Sequence, residues 1–360
     1  MSDSNLSPLS SPVSLEDLAR HVNLAVGTVS RALNGNQRVN VDTRARVAAA
    51  ARELGYEPSP LARGLRSGRT GLIGICFFMN SPSRNVQVTA QLYFLQKFLK
   101  EQGKRCLVEF SPWEYEHKVR AIEHFLAMRA EGIIHVGSFP EKLLQPLARL
   151  RERNIPYVLL DPHSPELPFS VALDRTLAYE KITDHLLDLG HTRLALLGIA
   201  PAFSVHHFTA YQARIQGVRR SLERRGLDFE QCVDICFDLP ETLESAGEFG
   251  RRLAARFYPR LREATACLAS NDDVALGAIE FLKTRGCRVP GDLSMVGFDD
   301  SARHGDPPLT TVNQQIDQST SAAVAMLQAA SVSGMTQTIP SRMIEPLLVV
   351  RDSTGPAGSR

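Results

Sequence analysis

Between Ser14 and Leu54, apolar residues recur at helical spacing in three short bursts separated by Asn- or Gly-containing turns. None is long enough to be a stable helix alone, so the three must pack on one another. Ser14 followed by Asp17 has the spacing of a capping box, and Leu15, Leu18, Ala19 and Val22 then fall at i, i+3, i+4 and i+7, which starts the first helix at Ser14. Asn23 and Leu24 form a turn. A second helix is expected from about Ala25 to Asn34, with Val29, Ala32 and Leu33 facing inward, and Gly35 and Asn36 stop it. The third is capped by Asn40 or Asp42, buries Val47, Ala50, Ala51 and Leu54, and ends at Gly55. One small core results.

The outward face of the second helix is polar. Two helices joined by a tight turn, the second presenting hydroxyls, a guanidinium and an amide, form the helix-turn-helix arrangement that fits the major groove of DNA. Thr28, Ser30 and Asn34 can donate to phosphates, and Arg31 can reach a base edge, where two parallel bonds to guanine discriminate by about 1 to 3 kcal/mol. Val26 and Gly27 also face bases but carry no hydrogen-bonding side chain, so reading there rests on apolar contact or close backbone approach. Net charge over the whole chain is only +2, yet residues 14–69 hold nine Arg and no Lys against five acidic residues. A plain helical bundle with a polar face does not call for that local excess.

Ser59-Pro60 suits an N-cap and first helical position, so the segment 59–69 can begin a helix. One or two turns without a packed core are marginal in water, and Gly64 weakens them by about 1 kcal/mol relative to Ala. The reading is a hinge that is disordered alone and helical when clamped on DNA. Leu65, flanked by Arg63 and Arg66, is the kind of side chain that wedges between base steps in the minor groove.

These residues are recognisable. Val13-Ser14-Leu15-Glu16-Asp17-Leu18-Ala19, Thr28-Val29-Ser30-Arg31-Ala32-Leu33-Asn34-Gly35, Thr43-Arg44 with Leu54-Gly55-Tyr56, and Leu61-Ala62-Arg63-Gly64-Leu65 resemble the headpiece and hinge of the lactose-repressor/galactose-repressor (LacI/GalR) family. The resemblance implies operator contacts from Thr28, Ser30, Arg31 and Asn34, specificity positions at Val26 and Gly27, and an intercalating Leu65. Ala25 departs from the Ser usual at the start of the recognition helix, and Gly64 replaces a better helix former.

The chain has 360 residues, 43% of them hydrophobic, enough for a further and larger core. No apolar run approaches the roughly 18 residues that span a bilayer, and Met1–Pro12 has no signal-peptide pattern, so no membrane is expected and the location expected is cytoplasmic. Cys76, Cys106, Cys232, Cys236, Cys267 and Cys287 include no C-x-x-C pair and read as reduced core residues. The divisions expected are a disordered tail (1–12), a helix-turn-helix domain (13–58), a hinge (59–69), a core of two subdomains (70–353) and a tail (354–360).

Beyond Thr70, the apolar runs Leu72–Phe78, Arg105–Phe110, Gly132–Val136, Pro156–Leu160, Arg193–Gly198, Thr265–Ala269 and Leu293–Phe298 read as strands alternating with amphipathic helices. Such alternation predicts parallel sheets with right-handed crossovers, and the strand number suits two sheets. Ligands of open parallel sheets bind beyond the carboxyl ends of strands. Asp174 follows Val171-Ala172-Leu173, Asn271 and Asp272 follow a run ending at Ser270, and Asp299 follows Val296-Gly297-Phe298. Each alone reads as a helix cap or loop residue; together with Arg214 they can converge on a polyhydroxylated ligand. The family resemblance continues through Leu186-Leu187-Asp188-Leu189-Gly190-His191, Ala269-Ser270-Asn271-Asp272-Asp273, Val289-Pro290-Gly291-Asp292-Leu293-Ser294, Gly297-Phe298-Asp299-Asp300 and Pro308-Leu309-Thr310-Thr311-Val312. It implies a periplasmic-binding-protein-like core of two Rossmann-like subdomains around a cleft, with effector contacts from Asp174, Arg214, Asn271 and Asp299. Two departures bear on the ligand. Arg175 stands where the family usually has Asn, an added guanidinium that favours an anion, and Ser83-Arg84-Asn85-Val86-Gln87-Val88 lacks the usual aromatic pair.

The fold class expected is therefore an all-α helix-turn-helix headpiece plus an α/β core, and the function a DNA-binding regulator, a homodimer on double-stranded operator DNA, switched by a sugar or sugar derivative. An α/β enzyme with an appended DNA-binding domain is the alternative. Against it, the sequence has no G-x-S-x-G elbow, phosphate loop, dinucleotide fingerprint or H-E-x-x-H, so no catalytic residue, metal or cofactor is expected, and His206-His207 lacks a third ligand at suitable spacing. An architectural DNA-binding protein without an effector is a third reading, and the cluster at the strand ends argues against it.

Overall fold

A computed structural model of the chain describes residues 13–57, 70–78, 86–111, 115–137, 144–162, 167–198, 205–238, 244–301, 305–335 and 337–358, the side chains of 144 and 205–210 excepted. The chain divides into two units, Met1–Thr70 and Gly71–Arg360.

In the first unit the three apolar bursts are helices α1 (Leu15–His21), α2 (Val26–Leu33) and α3 (Val41–Glu53). The capping box closes in both directions: the Asp17 N–H donates to Ser14 Oγ at 3.1 Å and the Ser14 N–H to Asp17 Oδ2 at 2.9 Å. Asn40 rather than Asp42 caps α3, accepting from the Asp42 N–H at 3.0 Å. Leu18, Val29 and Val47, fully buried, meet at the centre, with Ala19, Ala32, Ala50 and Ala51 filling between them and Leu33 and Leu54 at the margin. Each large apolar side chain so buried contributes about 1.5 to 3 kcal/mol.

The second unit alternates strands and helices. Its first part runs β1 (Leu72–Phe78), α4 (Val86–Glu101), β2 (Arg105–Ser111), α5 (Tyr115–Ala127), β3 (Gly132–Val136), α6 (Leu144–Glu152), β4 (Tyr157–Leu160) and β5 (Ser170–Leu173). Its second runs α7 (Arg175–Asp188), β6 (Leu194–Leu197), α8 (Val205–Arg224), α9 (Phe229–Cys232), β7 (Val233–Cys236), α10 (Ala246–Arg256), α11 (Tyr258–Glu263), β8 (Ala266–Ala269), α12 (Asp272–Thr284) and β9 (Ser294–Val296). The chain then returns through β10 (Thr311–Asn313), α13 (Ile316–Ser333), β11 (Arg342–Ile344) and β12 (Leu347–Val349).

Among the described residues these strands form a six-stranded sheet ordered β11-β5-β4-β3-β1-β2, a four-stranded sheet ordered β7-β6-β8-β9, both parallel throughout, and the antiparallel pair β10-β12. The first sheet is covered by α4, α5 and α13 around a core that includes Ile75, Leu95, Phe125, Ile134 and Leu327. In the second sheet alternate residues of β6 serve opposite faces: Ala195 and Leu197 pack beneath α10 and α12, Leu194 and Leu196 beneath α7 and α8. Parallel strands buried on both faces read as unbroken apolar runs, which is why strands such as β1, β3, β4, β6 and β8 are visible in the sequence; β2, at the sheet edge, is less buried. The edge strand β7 and the three-residue strands β10, β11 and β12 offer too few residues for any period to register.

Helices α7 and α8 approach closely at Gly217, where a Cβ would lie 2.3 Å from the Thr176 carbonyl oxygen and 2.8 Å from Tyr179 Cβ. That approach seats Tyr179, fully buried, against the end of the second sheet. The cysteines are free thiols, Cys76, Cys236 and Cys267 buried and Cys106, Cys232 and Cys287 half-buried. No helix among the described residues is long and apolar enough to cross a membrane.

Candidate DNA interface and ligand cleft

Helix α2 starts without a side-chain cap. Ala25 has no oxygen to offer, and only its carbonyl, accepting from the Thr28 N–H at 2.8 Å, closes the first turn. Val26 is 39% exposed, Gly27, Arg31 and Asn34 are exposed, and Thr28 and Ser30 are half-buried. Nothing lies within 4 Å of where a Gly27 side chain would begin, so the backbone there is open to close approach. Arg31 folds back along the helix, its Nε donating to the Gly27 carbonyl at 3.1 Å and its Nη2 to Thr28 Oγ1 at 3.4 Å. Val26, Gly27, Thr28 and Arg31 thus form one patch at the amino end of α2, the end that a recognition helix turns toward bases. Asn34 folds back along the helix to donate to the Ser30 carbonyl at 2.8 Å. Arg63 and Leu65 lie outside the described residues, as does the Ser83-to-Asn85 part of the departing segment.

In the second unit, polar residues follow the carboxyl ends of strands in both sheets. Asp174 and Asn271 cap α7 and α12, accepting from the Leu177 and Val274 N–H groups, each at 2.9 Å. Capping therefore occupies one oxygen of each. The Arg214 guanidinium lies over the rings of Tyr179 (5.6 Å) and Phe298 (5.8 Å), which stack on each other at 5.6 Å. Its Nε and the Tyr179 hydroxyl are buried without a hydrogen-bond partner among the described residues. Orphaned donors of this kind are costly, and a ligand would satisfy them.

Asp299 adjoins the same rings. Its backbone has φ +121°, and Asp300 follows at +55°, conformations that an L residue adopts only when its surroundings hold it there. Asp161 at the end of β4 (φ +58°) and Gln315 (φ +53°) add two more such residues. Asp300 is anchored by Asn313 Nδ2 at 2.8 Å and by Arg351. Asp299 accepts from the Gln314 side-chain amide. Burial first, then the neighbouring Asp272, push the Asp299 carboxyl up to about 8; the Gln314 bond and Arg214 pull it partly back, and Asp273 adds to the rise. Asp272 itself is fully buried, accepting from Ser301 N–H at 2.7 Å and Thr311 Oγ1 at 2.6 Å. Gly297 leaves room for it, since a Cβ there would fall 2.2 Å from Asp272 Oδ1.

The expectation for Arg175 needs correction. Its guanidinium is held by Asp161, Nη1 to Oδ1 at 2.8 Å and Nη2 to Oδ2 at 2.5 Å, so its charge is already balanced and does not of itself favour an anionic ligand. Sequence reading missed Asp161, although it follows a strand just as Asp174 and Asp299 do, and that signal was sufficient to find it. It also missed Tyr179, which looks like any apolar position of an amphipathic helix, and Gln314, whose neighbours carry no pattern. A separate surface groove of about 320 Å³, lined by Val119, Ile122, Leu126, Pro146, Arg149 and Arg153, lies between α5 and α6 and shares no residue with this cluster.

Comparison with known proteins bears on the family and the fold of both units. Residues 14–59 match the family model of bacterial regulatory proteins of the lacI family, and residues 183–354 match that of the periplasmic binding protein-like domain. The HTH-type transcriptional regulator MalR of Streptomyces coelicolor is 32% identical over 351 residues, 95% of this chain and 97% of its own. The crystal structure of the lac repressor dimer bound to operator and the anti-inducer ONPF superposes with a TM-score of 0.82 at 26% identity, covering 96% of this chain and all of that one. A complex of the transcriptional regulator CelR with cellobiose gives 0.66 at 25% identity over 95% and 99% of the two chains. A helix-turn-helix unit followed by a two-sheet core defines a DNA-binding transcriptional regulator rather than an enzyme. The chain belongs to the LacI family.

Proposed function

We propose that this chain is a repressor that binds a near-palindromic operator as a homodimer in the cytoplasm and is switched by a small polyhydroxylated effector, a sugar or sugar derivative. The observation that carries the effector reading is the pair of orphaned donors, Arg214 Nε and Tyr179 hydroxyl, beside Asp299 where the strands of both sheets end. Asp174 and Asn271 complete the set with their remaining acceptor and donor capacity. On DNA, Arg31 reads a base edge, Val26 and Gly27 give apolar and backbone contact, Thr28, Ser30 and Asn34 hold phosphates, and Arg63 with Leu65 engages the minor groove. The relatives support this reading: one solved structure is a dimer on operator with an anti-inducer, another a regulator with cellobiose. A ligand that binds one arrangement of the two subdomains better shifts the population between DNA-competent and incompetent states.

The test is selection of bound DNA from a random pool with the full chain, followed by a sugar panel scored for release or enhancement. An inverted repeat and one sugar that changes its occupancy are expected. A selected site without two-fold symmetry overturns the dimer, and indifference to every sugar overturns the effector class.

A further inference from the structure

Asn313 and Gln314, consecutive residues at the end of β10, hold consecutive aspartates. Asn313 Nδ2 donates to Asp300 Oδ2 at 2.8 Å, and Gln314 Nε2 donates to Asp299 Oδ1. Backbone bonds keep the two segments in step, Asp299 N–H donating to the Val312 carbonyl at 2.9 Å and Asp300 N–H to Thr311 Oγ1 at 3.3 Å. The two amides differ in what holds their oxygens. Asn313 Oδ1 accepts at 2.8 Å from the Gln315 N–H, in its own turn. Gln314 Oε1 accepts at 3.1 Å from Gln87 Nε2, in the first turn of α4 and 227 positions away.

An amide has one donating and one accepting end, so whatever holds the oxygen also aims the nitrogen. Asn313 is aimed locally. Gln314, 6% exposed, is aimed from another part of the fold. Leu95 and Leu99 of α4 pack in the core of the first sheet, whereas Phe298 and Val312, beside Asp299 and Asn313, pack in the core of the second. The Gln87 bond therefore links the two subdomains, and the link ends on Asp299. Without Gln87 the buried Oε1 loses a donor, which favours arrangements in which that oxygen finds another and the nitrogen leaves Asp299.

We propose that Gln87 and Gln314 are positioning residues for the effector site, a two-amide relay through which the first subdomain sets the orientation of the Asp299 carboxyl in the second. This rests on reading the cluster as the effector site. While α4 holds Gln314, Asp299 Oδ1 is engaged and the carboxyl keeps one orientation toward the cleft. When α4 withdraws, the amide turns and the carboxyl is released with it. A ligand that binds only the oriented carboxyl then favours the arrangement in which Gln87 reaches Gln314, which is the differential contact that a switch between two subdomain arrangements requires.

Side-chain amide exchange with solvent tests the relay in the full-length protein, labelled with nitrogen-15 on glutamine and asparagine. The Gln314 signal is identified by its loss in Gln314→Glu, or in Gln314→Met if that variant fails to fold. In Gln87→Met its protons are expected to exchange about tenfold faster than in wild type, while those of Asn313, held within its own turn, keep their rate. Gln87→Lys, which keeps a donor at similar reach, is expected to restore slow exchange at Gln314. An unchanged Gln314 rate in Gln87→Met, equal loosening of Asn313, or no rescue by lysine overturns the proposal. In a second arm cellobiose, maltose and lactose are titrated calorimetrically into wild type, Gln87→Met, Gln314→Met and the double mutant. For any sugar that binds, each single change is expected to weaken binding about tenfold and the double change no further, because the two residues act in series. Losses that add overturn the relay. The exchange pattern with no sugar bound supports the relay and counts against the sugar reading alone.

Discussion

Arg175 grips Asp161 through two parallel hydrogen bonds, of 2.8 and 2.5 Å, with only 13% and 14% of the two side chains exposed. The residues follow adjacent strand ends of the first sheet, Asp161 just after β4 and Arg175 as the first residue of α7 after β5. Removing one member strands the other. Asp161→Asn is expected to lower the stability of the second unit by about 3 kcal/mol in urea unfolding, while Arg175→Met combined with Asp161→Leu recovers most of it, because replacing a buried pair by apolar groups is often neutral. A single mutant as stable as wild type would mean that water already screens the pair.

Arg31→Ala tests the groove assignment. Loss of a bidentate base contact is worth about 1 to 3 kcal/mol, roughly a 5- to 150-fold weaker grip on the selected site, with the melting of the second unit unchanged. A narrowed ratio of affinities for selected and scrambled DNA in the mutant, at matched salt, is the expected pattern; an unchanged ratio would place base reading elsewhere.

Helix α2 lacks a capping side chain at Ala25. Ala25→Ser restores an acceptor for a free N–H and should stabilise the helix by about 1 kcal/mol. Amide hydrogen exchange in the full chain reads this directly: the protons of residues 27–33 should slow several-fold, and unchanged rates would show that the first turn is not where α2 opens.

Asp299 ties stability to pH. Its native carboxyl titrates near 8, far above the roughly 3.9 of an unfolded chain, so between those values the native state binds the extra proton. Stability therefore falls as pH rises from about 4 to 8 and levels off above. Asp299→Asn should flatten that slope in pH-dependent denaturation. Asp299→Ala should also leave operator binding measurable and remove the effector response; a mutant that still responds normally puts the ligand elsewhere.

Which parts of this were legible in the sequence follows from what each signal needs. The headpiece was readable almost residue by residue, because Ser14, Asp17, Asn40 and Gly55 act on their own backbone neighbours and leave a local pattern. Long buried strands such as Leu72–Phe78 announce themselves as apolar runs. The cluster around Asp299 was half visible: strand-end position finds Asp174, Asn271 and Asp299, but Gln87 and Gln314 are separated by over two hundred residues, and only the fold makes them neighbours. The balanced charge of Arg175 likewise depends on a partner the local sequence does not name.

The order of elements in the first sheet has a consequence for synthesis. Strand β11 and helix α13, which complete that sheet and its cover, are made after the whole of the second sheet. A growing chain can close its headpiece once residue 54 has emerged, yet the sheet that begins at Leu72 stays unfinished until Ile344 leaves the ribosome. During that interval β5 keeps an open edge and the core around Ile134 lacks Leu327. The nascent chain thus carries a finished DNA-binding headpiece ahead of its regulatory core, and it is in this window that destabilising changes in β5 or α13 would be felt most as aggregation.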